Sequence, residues 1–303
     1  MIEIAVVGGG PAGLTAALYA ARAGRSVTVF EGNSFGGQIT QSPLVENYPG
    51  LGNISGMELG DRMYVQAEQA GATLSFSGVE AIQKSATGTF LLTTEDGIVE
   101  AQAVIYAAGA APRHLELPGE EALVGRGISY CALCDGAFFA NQDVAVAGGG
   151  NTALEDALYL SERCRSVTLI HRRNTFRAES ALVERAKATG NLTMVTQAQI
   201  TALLTQDGNL TGLLLQKQDG TDKTLAVSGL FVAFGRIPDT APLSGLAARD
   251  EQGYVLTDDQ MQTLTPGLFA AGDCRHKQIR QLTTAVSDGT VAAISACRYL
   301  GNR

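Results

Sequence analysis

The sequence predicts an α/β protein of two Rossmann-like dinucleotide-binding domains, the second inserted into a discontinuous first. Three observations predict this: a long internal repeat, a glycine turn at the same place in each copy, and a C-terminal segment that reads as the return of the first domain.

The repeat comes first along the chain. Residues 6–32, VVGGGPAGLTAALYAARAGRSVTVFEG, and residues 146–172, VAGGGNTALEDALYLSERCRSVTLIHR, align at an offset of 140 with nearly half of the positions identical. Leu14 falls on Leu154, Tyr19 on Tyr159, and Arg25-Ser26-Val27-Thr28 on Arg165-Ser166-Val167-Thr168. Each copy opens on a short apolar run, Ile4–Val7 or Val144–Ala147, that reads as a strand. Apolar residues then recur at helical spacing: Leu14, Ala17, Leu18 and Ala21, or Leu154, Ala157 and Leu158. A second β-branched run follows, Val27–Phe30 or Val167–Ile170, which completes a βαβ unit of a parallel sheet.

The turns between strand and helix are Gly8-x-Gly10-x-x-Gly13, with Pro11 and Ala12 inside, and Gly148-x-Gly150-x-x-Ala153, with Asn151 and Thr152 inside. Glycine lets the backbone approach a pyrophosphate, and the helix start supplies N–H groups and the positive end of its dipole. The copies diverge where a ribose is expected. The first carries Glu31 at the end of its second strand, a carboxylate able to accept ribose hydroxyls. The second carries His171, followed by Arg172, Arg173 and Arg177, a cationic cluster suited to a 2′-phosphate. Copy one is therefore expected to take an adenine dinucleotide without that phosphate, FAD, and copy two to take NADPH.

The tail supports the first assignment. LTPGLFAAGD, residues 264–273, reads as an apolar strand and small residues ending in an acid; Gly272 allows close approach and Asp273 is a candidate partner for a ribityl chain. Arg280 and Gln281 follow at the start of an expected helix over 281–299. Turn-rich joints at 109–118 (GAAPRHLELP) and 238–245 (PDTAPLSG) divide the chain into an expected FAD domain, 1–112 and 243–303, and an expected NADPH domain, 113–242.

Composition narrows the function classes. With 303 residues, 45% hydrophobic and 17% charged, the chain suits two ordinary globular domains. A net charge of −8 argues against a nucleic-acid-binding surface. No secretory signal is visible and no run reaches the ~18 apolar residues of a membrane span, so a cytoplasmic location is expected. Five cysteines, an odd number, do not make a disulfide scaffold. Two of them, Cys131 and Cys134 in CALCDG, have the spacing of half a zinc site, a staple or a redox couple, and spacing alone leaves these open.

The ordered stretches GGGPAG (8–13), GGQI (36–39), ENYPG (46–50), AAGAAPRHLELPG (107–119), CALCDG (131–136), GGGNTALEDA (148–157), HRRNTFRA (171–178), GLFAAGD (267–273) and RQL (280–282) resemble the low-molecular-weight thioredoxin reductases over essentially the whole chain. That resemblance implies a homodimer that moves electrons from NADPH through FAD and a Cys131–Cys134 dithiol/disulfide to thioredoxin, with domain rotation between half-reactions. It implies that Cys134 faces the flavin, that Cys131 attacks the protein substrate, and that Asp135 gives and takes the proton. It adds Gly37, Gln38, Asn47 and Gly109 to the flavin contacts. Arg126, Phe138 and Phe139 are candidate contacts to thioredoxin. The zinc reading needs two further ligands, and Cys164, Cys274, Cys297 and the histidines are scattered; the three cysteines read as packing, Cys274 near the flavin. The chain departs from the family at Leu133, where a threonine is usual, and at Tyr130, which is bulkier than expected. The alternatives are a flavin disulfide reductase or oxidase of the same fold with another electron donor, or one with another disulfide partner.

Overall fold

The computed structural model describes residues 1–301; the end of the expected 243–303 segment, residues 302–303, lies outside the described residues. The chain forms two compact units, one of Met1–Ala111 with Ile237–Arg303 and the other of Pro112–Arg236. The return crossing falls after Arg236, and Thr240 is already tied to the first unit, its hydroxyl donating to the Gly253 carbonyl at 2.9 Å. Within the second unit the Arg113 N–H donates to the Gly235 carbonyl, so its two ends are tied together.

The first unit begins with β1 (Ile2–Val7), α1 (Pro11–Arg22) and β2 (Val27–Phe30), followed by α2 (Gly56–Gln69), β3 (Thr73–Ser75), β4 (Val79–Lys84), β5 (Phe90–Thr94) and β6 (Gly97–Tyr106). A short strand, β7 (Ala110–Pro112), leads to the second unit. There β8 (Ile128–Ser129) and the single-turn helix α3 (Ala132–Asp135) precede β9 (Asp143–Ala147), α4 (Asn151–Ser161), β10 (Ser166–His171), α5 (Ser180–Ala188) and β11 (Leu192–Thr196). Three antiparallel strands, β12 (Ala198–Gln206), β13 (Asn209–Lys217) and β14 (Asp222–Ala226), lead into β15 (Gly229–Val232). The chain returns through β16 (Arg236–Pro238) to β17 (Leu268–Ala270) and the last helix, α6 (Leu282–Gly301).

The internal repeat is visible in the strand register. In the first unit β1 pairs β2 in parallel with Ile4 opposite Val27 and Val6 opposite Val29; in the second, β9 pairs β10 with Val144 opposite Val167 and Val146 opposite Leu169. Both registers carry the offset of 140. The sheets run β3-β2-β1-β6, with β17 beside β6, and β11-β10-β9-β15-β8. Alternation splits each first strand between two cores, as a sheet covered on both faces requires. Ile4 and Val6 face α1 and α6, while Ala5 and Val7 join Phe90, Val104 and Tyr106. Val144 and Val146 face α4, while Ala145 and Ala147 join Leu213 and Leu215 of the antiparallel sheet. Among the described residues, no helix is long and apolar enough to cross a membrane.

Helix α6 covers α1 closely: a Cβ on Gly289 would stand 2.2 Å from the Ala12 carbonyl oxygen. Without that contact, Gly→Ala inside a helix stabilises by about 1 kcal/mol. With it, Gly289→Ala is expected to destabilise by about 1–3 kcal/mol and to lower the thermal unfolding midpoint, which differential scanning calorimetry reads directly.

Candidate active site

The CALCDG turn lies wholly in the second unit. Cys131 and Cys134 are disulfide-bonded, with Cα atoms 5.3 Å apart. Cys131 is half-buried, and Cys134 and Leu133 are exposed. The backbone N–H of Cys134 donates to Cys131 Sγ at 3.2 Å, a contact that favours a thiolate there once the disulfide opens. Asp135 follows, and burial pushes its carboxyl above the usual range, partly offset by a hydrogen bond from Ser129. The Ser129 hydroxyl donates to Asp135 Oδ2 at 2.6 Å and accepts the Cys131 N–H at 3.0 Å. A carboxyl raised above its ordinary range takes a proton more readily, and beside a dithiol it can supply a leaving thiolate and be recharged. Ser129 itself was invisible to sequence reasoning: nothing marks a serine six residues before an acid until α3 folds back.

The glycine turns divide their labour. Gly8 adopts φ +103°, and its Cβ would lie 2.5 Å from the Ala107 oxygen; a Cβ on Gly13 would lie 1.9 Å from the Gly8 oxygen. Gly148 is crowded by Ala153 and Ala233, at 2.6 and 2.7 Å. These are demands of the fold. Gly10 and Gly150 have ordinary φ values of −78° and −100°, and a Cβ at Gly150 meets nothing within 4 Å. The space in front of Gly150 is open. Both following helices begin without a side-chain cap or an acid in the first turn, whereas the start of α2 is capped by Ser55. Uncapped N–H groups at a glycine turn fit a pyrophosphate. Pro11 fills the first position of α1, where its missing N–H costs nothing, and Ala12 is buried beneath α6. In the other copy Thr152 is exposed at the start of α4, while the Asn151 side chain accepts from the Glu179 N–H at 2.9 Å and donates to its carboxylate at 3.0 Å. Asn151 thereby fastens the loop that carries Arg177.

Glu31 sits under the first turn, accepting from the Gly9 N–H at 2.7 Å and the Asn33 N–H at 2.8 Å. Each of its oxygens keeps an acceptor site for a ribose hydroxyl. His171 needs correcting. It was grouped with the cationic cluster, yet it is buried, stacked on Phe176, and joined through Nε2 to the Thr175 carbonyl at 3.1 Å. A Cβ on Gly149 would fall 2.2 Å from its ring, and burial, helped by the neighbouring arginines, lowers its pKa. Its ring wedges under the turn and is not presented at the surface as the following arginines are. Arg172, Arg173 and Arg177 are exposed, and among the described residues no ion pair holds their guanidinium groups. The Arg177 N–H donates to the Gly149 carbonyl at 2.8 Å, which brings this arginine to the turn.

In the first unit the tail forms a second acidic anchor. Gly272 has φ +77°, and its N–H donates to Asp288 Oδ2. Asp273 Oδ1 is buried without a hydrogen bond, with Lys277 Nζ 3.5 Å away. Such an orphaned acceptor fits a ligand hydroxyl. Asp288 is buried and ion-paired to Arg275 and Lys277 at 3.3 and 3.0 Å, pinning this segment to α6. Arg280 stacks over Tyr254 at 4.0 Å, and Asn47 Nδ2 reaches Gln281 Oε1 at 3.5 Å. Gln38 donates to the Ala110 carbonyl at 2.7 Å, Gly37 approaches Gly10 so closely that its Cβ would stand 3.0 Å from the Gly10 Cα, and Gly109 has φ +73°. The glycine turn, Gly109 and Asp273 follow the ends of β1, β6 and β17, and Glu31 follows β2. Asp288 and Lys277 escaped notice because their partners are brought together only by α6.

Phe139 is also corrected. It packs against Phe231, ring centroids 5.3 Å apart, and a Cβ on Gly229 would meet its ring at 2.7 Å; it belongs to the core. Phe138 is half-buried, and Arg126 and Leu133 are exposed. Tyr130 is anchored rather than projecting: its hydroxyl donates to the buried Glu120 carboxylate at 2.7 Å and meets His114 Nδ1 at 2.8 Å. Cys164 and Cys274 are buried, and Cys297 packs against the α1–α6 core. Among the described residues, no group of three or more His, Cys, Asp or Glu side chains could hold a metal ion.

Known proteins resemble this chain along nearly its whole length. The family described as pyridine nucleotide-disulphide oxidoreductase matches residues 2–289. A bifunctional thioredoxin reductase/thioredoxin of Mycobacterium leprae is 44% identical over 98% of this chain, which spans 66% of that relative's length. A thioredoxin reductase of Mycolicibacterium smegmatis is 43% identical over 99% of this chain and 97% of its own. The crystal structure of thioredoxin reductase from Streptococcus pyogenes superposes with a TM-score of 0.96 at 40% identity, covering 100% of this chain and 99% of that one.

The thiols separate by environment. Burial raises the pKa of Cys164 and Cys297 and pushes Cys274 up to about 12, so all three stay protonated at pH 8. Iodoacetamide at that pH, read by peptide mass spectrometry, is expected to label none of the five rapidly in the native oxidised protein and only Cys131 and Cys134 after mild reduction. Rapid labelling of Cys274 would contradict its burial.

Proposed function

The chain belongs to the pyridine nucleotide-disulphide oxidoreductase family, and within it we propose that this protein is a thioredoxin reductase that takes electrons from NADPH through FAD to the Cys131–Cys134 pair and on to thioredoxin. The observation that carries the reading is the pairing, in one unit, of a disulfide with a half-buried neighbouring acid and of an arginine-flanked dinucleotide turn. The names of relatives more than 40% identical over nearly the whole chain support thioredoxin as the partner.

In this reading Gly8, Gly10, Pro11, Ala12 and Gly13 present the start of α1 to the FAD pyrophosphate. Glu31 takes the adenosine ribose, and Asp273 takes a ribityl hydroxyl. Gly37, Gln38, Asn47, Gly109, Gly272, Arg280 and Gln281 line the remainder. Gly148, Gly150, Thr152 and Ala153 present the start of α4 to NADPH, Asn151 and His171 shape that turn, and Arg172, Arg173 and Arg177 hold the 2′-phosphate in charge-assisted hydrogen bonds. Bound flavin supplies the two-electron relay between the hydride donor and the disulfide.

The protein's own chemistry is thiol–disulfide exchange. The Cys131 thiolate attacks one sulfur of oxidised thioredoxin, an S–S bond forms, and the thioredoxin disulfide breaks. Asp135 gives its proton to the departing thiolate. The Cys134 thiolate then attacks Cys131 Sγ, closing the intramolecular disulfide and releasing the second thioredoxin thiolate, which is protonated in turn. Two electrons and two protons leave with reduced thioredoxin. One disulfide must serve both a flavin and a protein, so the reading includes rotation of the units between half-reactions. A homodimer, a cytoplasmic location and thioredoxin contacts through Arg126 and Phe138 belong to the same reading.

The arginines make it testable. Arg172→Ala/Arg173→Ala is expected to raise KM for NADPH by about 10–100-fold, since each charge-assisted bond contributes about 1.5–3 kcal/mol when desolvated and less at an exposed site. NADH turnover should stay unchanged. Steady-state NADPH oxidation in the presence of thioredoxin measures both. A wild-type enzyme that uses NADH as well as NADPH would remove the phosphate assignment, and turnover retained in Cys131→Ser or Cys134→Ser would remove the exchange.

A further inference from the structure

We propose that Ser129 is a positioning residue that holds Asp135 in both of its protonation states. With Asp135 ionised, its hydroxyl donates to the carboxylate; with Asp135 protonated, it turns to the Cys131 carbonyl. The inference rests on the role of Asp135 as the proton donor and acceptor of the exchange.

The geometry is compact. Ser129 ends β8, immediately before the redox turn, and is buried. Its oxygen lies 2.6 Å from Asp135 Oδ2 and 3.3 Å from the Cys131 carbonyl oxygen, and it accepts the Cys131 N–H at 3.0 Å. A hydroxyl has one proton to donate and two acceptor sites. It therefore cannot donate to both oxygens at once, but each protonation state of Asp135 leaves it satisfied. When the acid is ionised, the hydroxyl donates to Oδ2 and accepts from Cys131 N–H. When the acid is protonated, Asp135 donates to Oγ, Cys131 N–H donates to Oγ, and the hydroxyl proton swings to the Cys131 carbonyl. No heavy atom moves. A half-buried carboxyl that must change charge in each cycle would otherwise lose this partner in one state or the other.

The surroundings contain few rivals. Helix α4, which packs on this turn, carries Glu155, Asp156 and Tyr159. Asp156 is half-buried, and desolvation pushes its carboxyl up to about 7. The shift at Asp135 arises from its own burial and from Ser129, with no contribution from those groups. Tyr130, the next residue along, is turned to Glu120 and His114.

The test is the pH profile of kcat/KM for thioredoxin, measured with the FAD-loaded enzyme. In Ser129→Ala both states lose a partner, but the charge-assisted bond to the ionised acid is the stronger, so the limb due to Asp135 is expected to move to the alkaline side by about one pH unit. Ser129→Thr, which keeps the hydroxyl, should leave the limb in place even where its extra methyl lowers the rate. Asp135→Asn should abolish the limb and make Ser129→Ala silent in that background. A rate that falls equally at every pH in Ser129→Ala, or a limb displaced as far by threonine as by alanine, overturns the proposal and leaves the Asp135 role standing. A limb that survives in Asp135→Asn overturns the role of the acid itself, and one that vanishes in Asp156→Asn belongs to that residue; either result overturns the proposal too.

Discussion

The structure depends on two helix starts left without caps. At Gly10 and Gly150 the chain leaves a parallel strand and enters a helix with its first N–H groups unclaimed by any side chain. Such groups are costly if buried and satisfied if a phosphate arrives. The surrounding glycines let the chain turn tightly enough for those N–H groups to share one space. Gly8 and Gly13 close on one another at the first turn, and Gly148 closes on Ala153 at the second. Strand register, the two-sided burial of β1 and β9 and the contact of α1 with α6 all hold these turns in place.

From that shared frame the two units diverge through a few side chains. The residue under the middle glycine is Glu31 in one and His171 in the other, and both are fixed by the turn above them. In the proposed reading the difference in ligand charge is carried by the exposed arginines that follow His171. The second unit alone adds the disulfide and the acid beside it. One fold, used twice, thus carries two glycine turns of the same build, and its second copy carries a pair of sulfurs.

Much of this was legible in the sequence because repeats, alternation and glycine spacing are local signals. The offset of 140 between the two glycine motifs reappears as identical strand registers. The last helix was read as 281–299 and runs Leu282–Gly301. His171 was misread through its neighbours, although its parity with Val167 and Leu169 along β10 already turned it inward. Phe139 was misread because Phe231 and Gly229, which receive its ring, lie about ninety residues away. Ser129 and Asp288 could not be found at all: a buried hydroxyl or carboxylate acquires its role from partners that only the tertiary fold assembles.

The most direct test is an anaerobic titration of the yellow, oxidised protein with NADPH, followed by oxidised thioredoxin. A flavin and one redox-active disulfide together take up four electrons, so the account expects about two equivalents of NADPH per chain for full reduction and about one in the Cys131→Ser/Cys134→Ser double variant. Adding thioredoxin should then restore the yellow colour only in the wild type. Full bleaching of the wild type by about one equivalent, or reoxidation by thioredoxin in the variant, would mean that the electrons do not pass through Cys131 and Cys134.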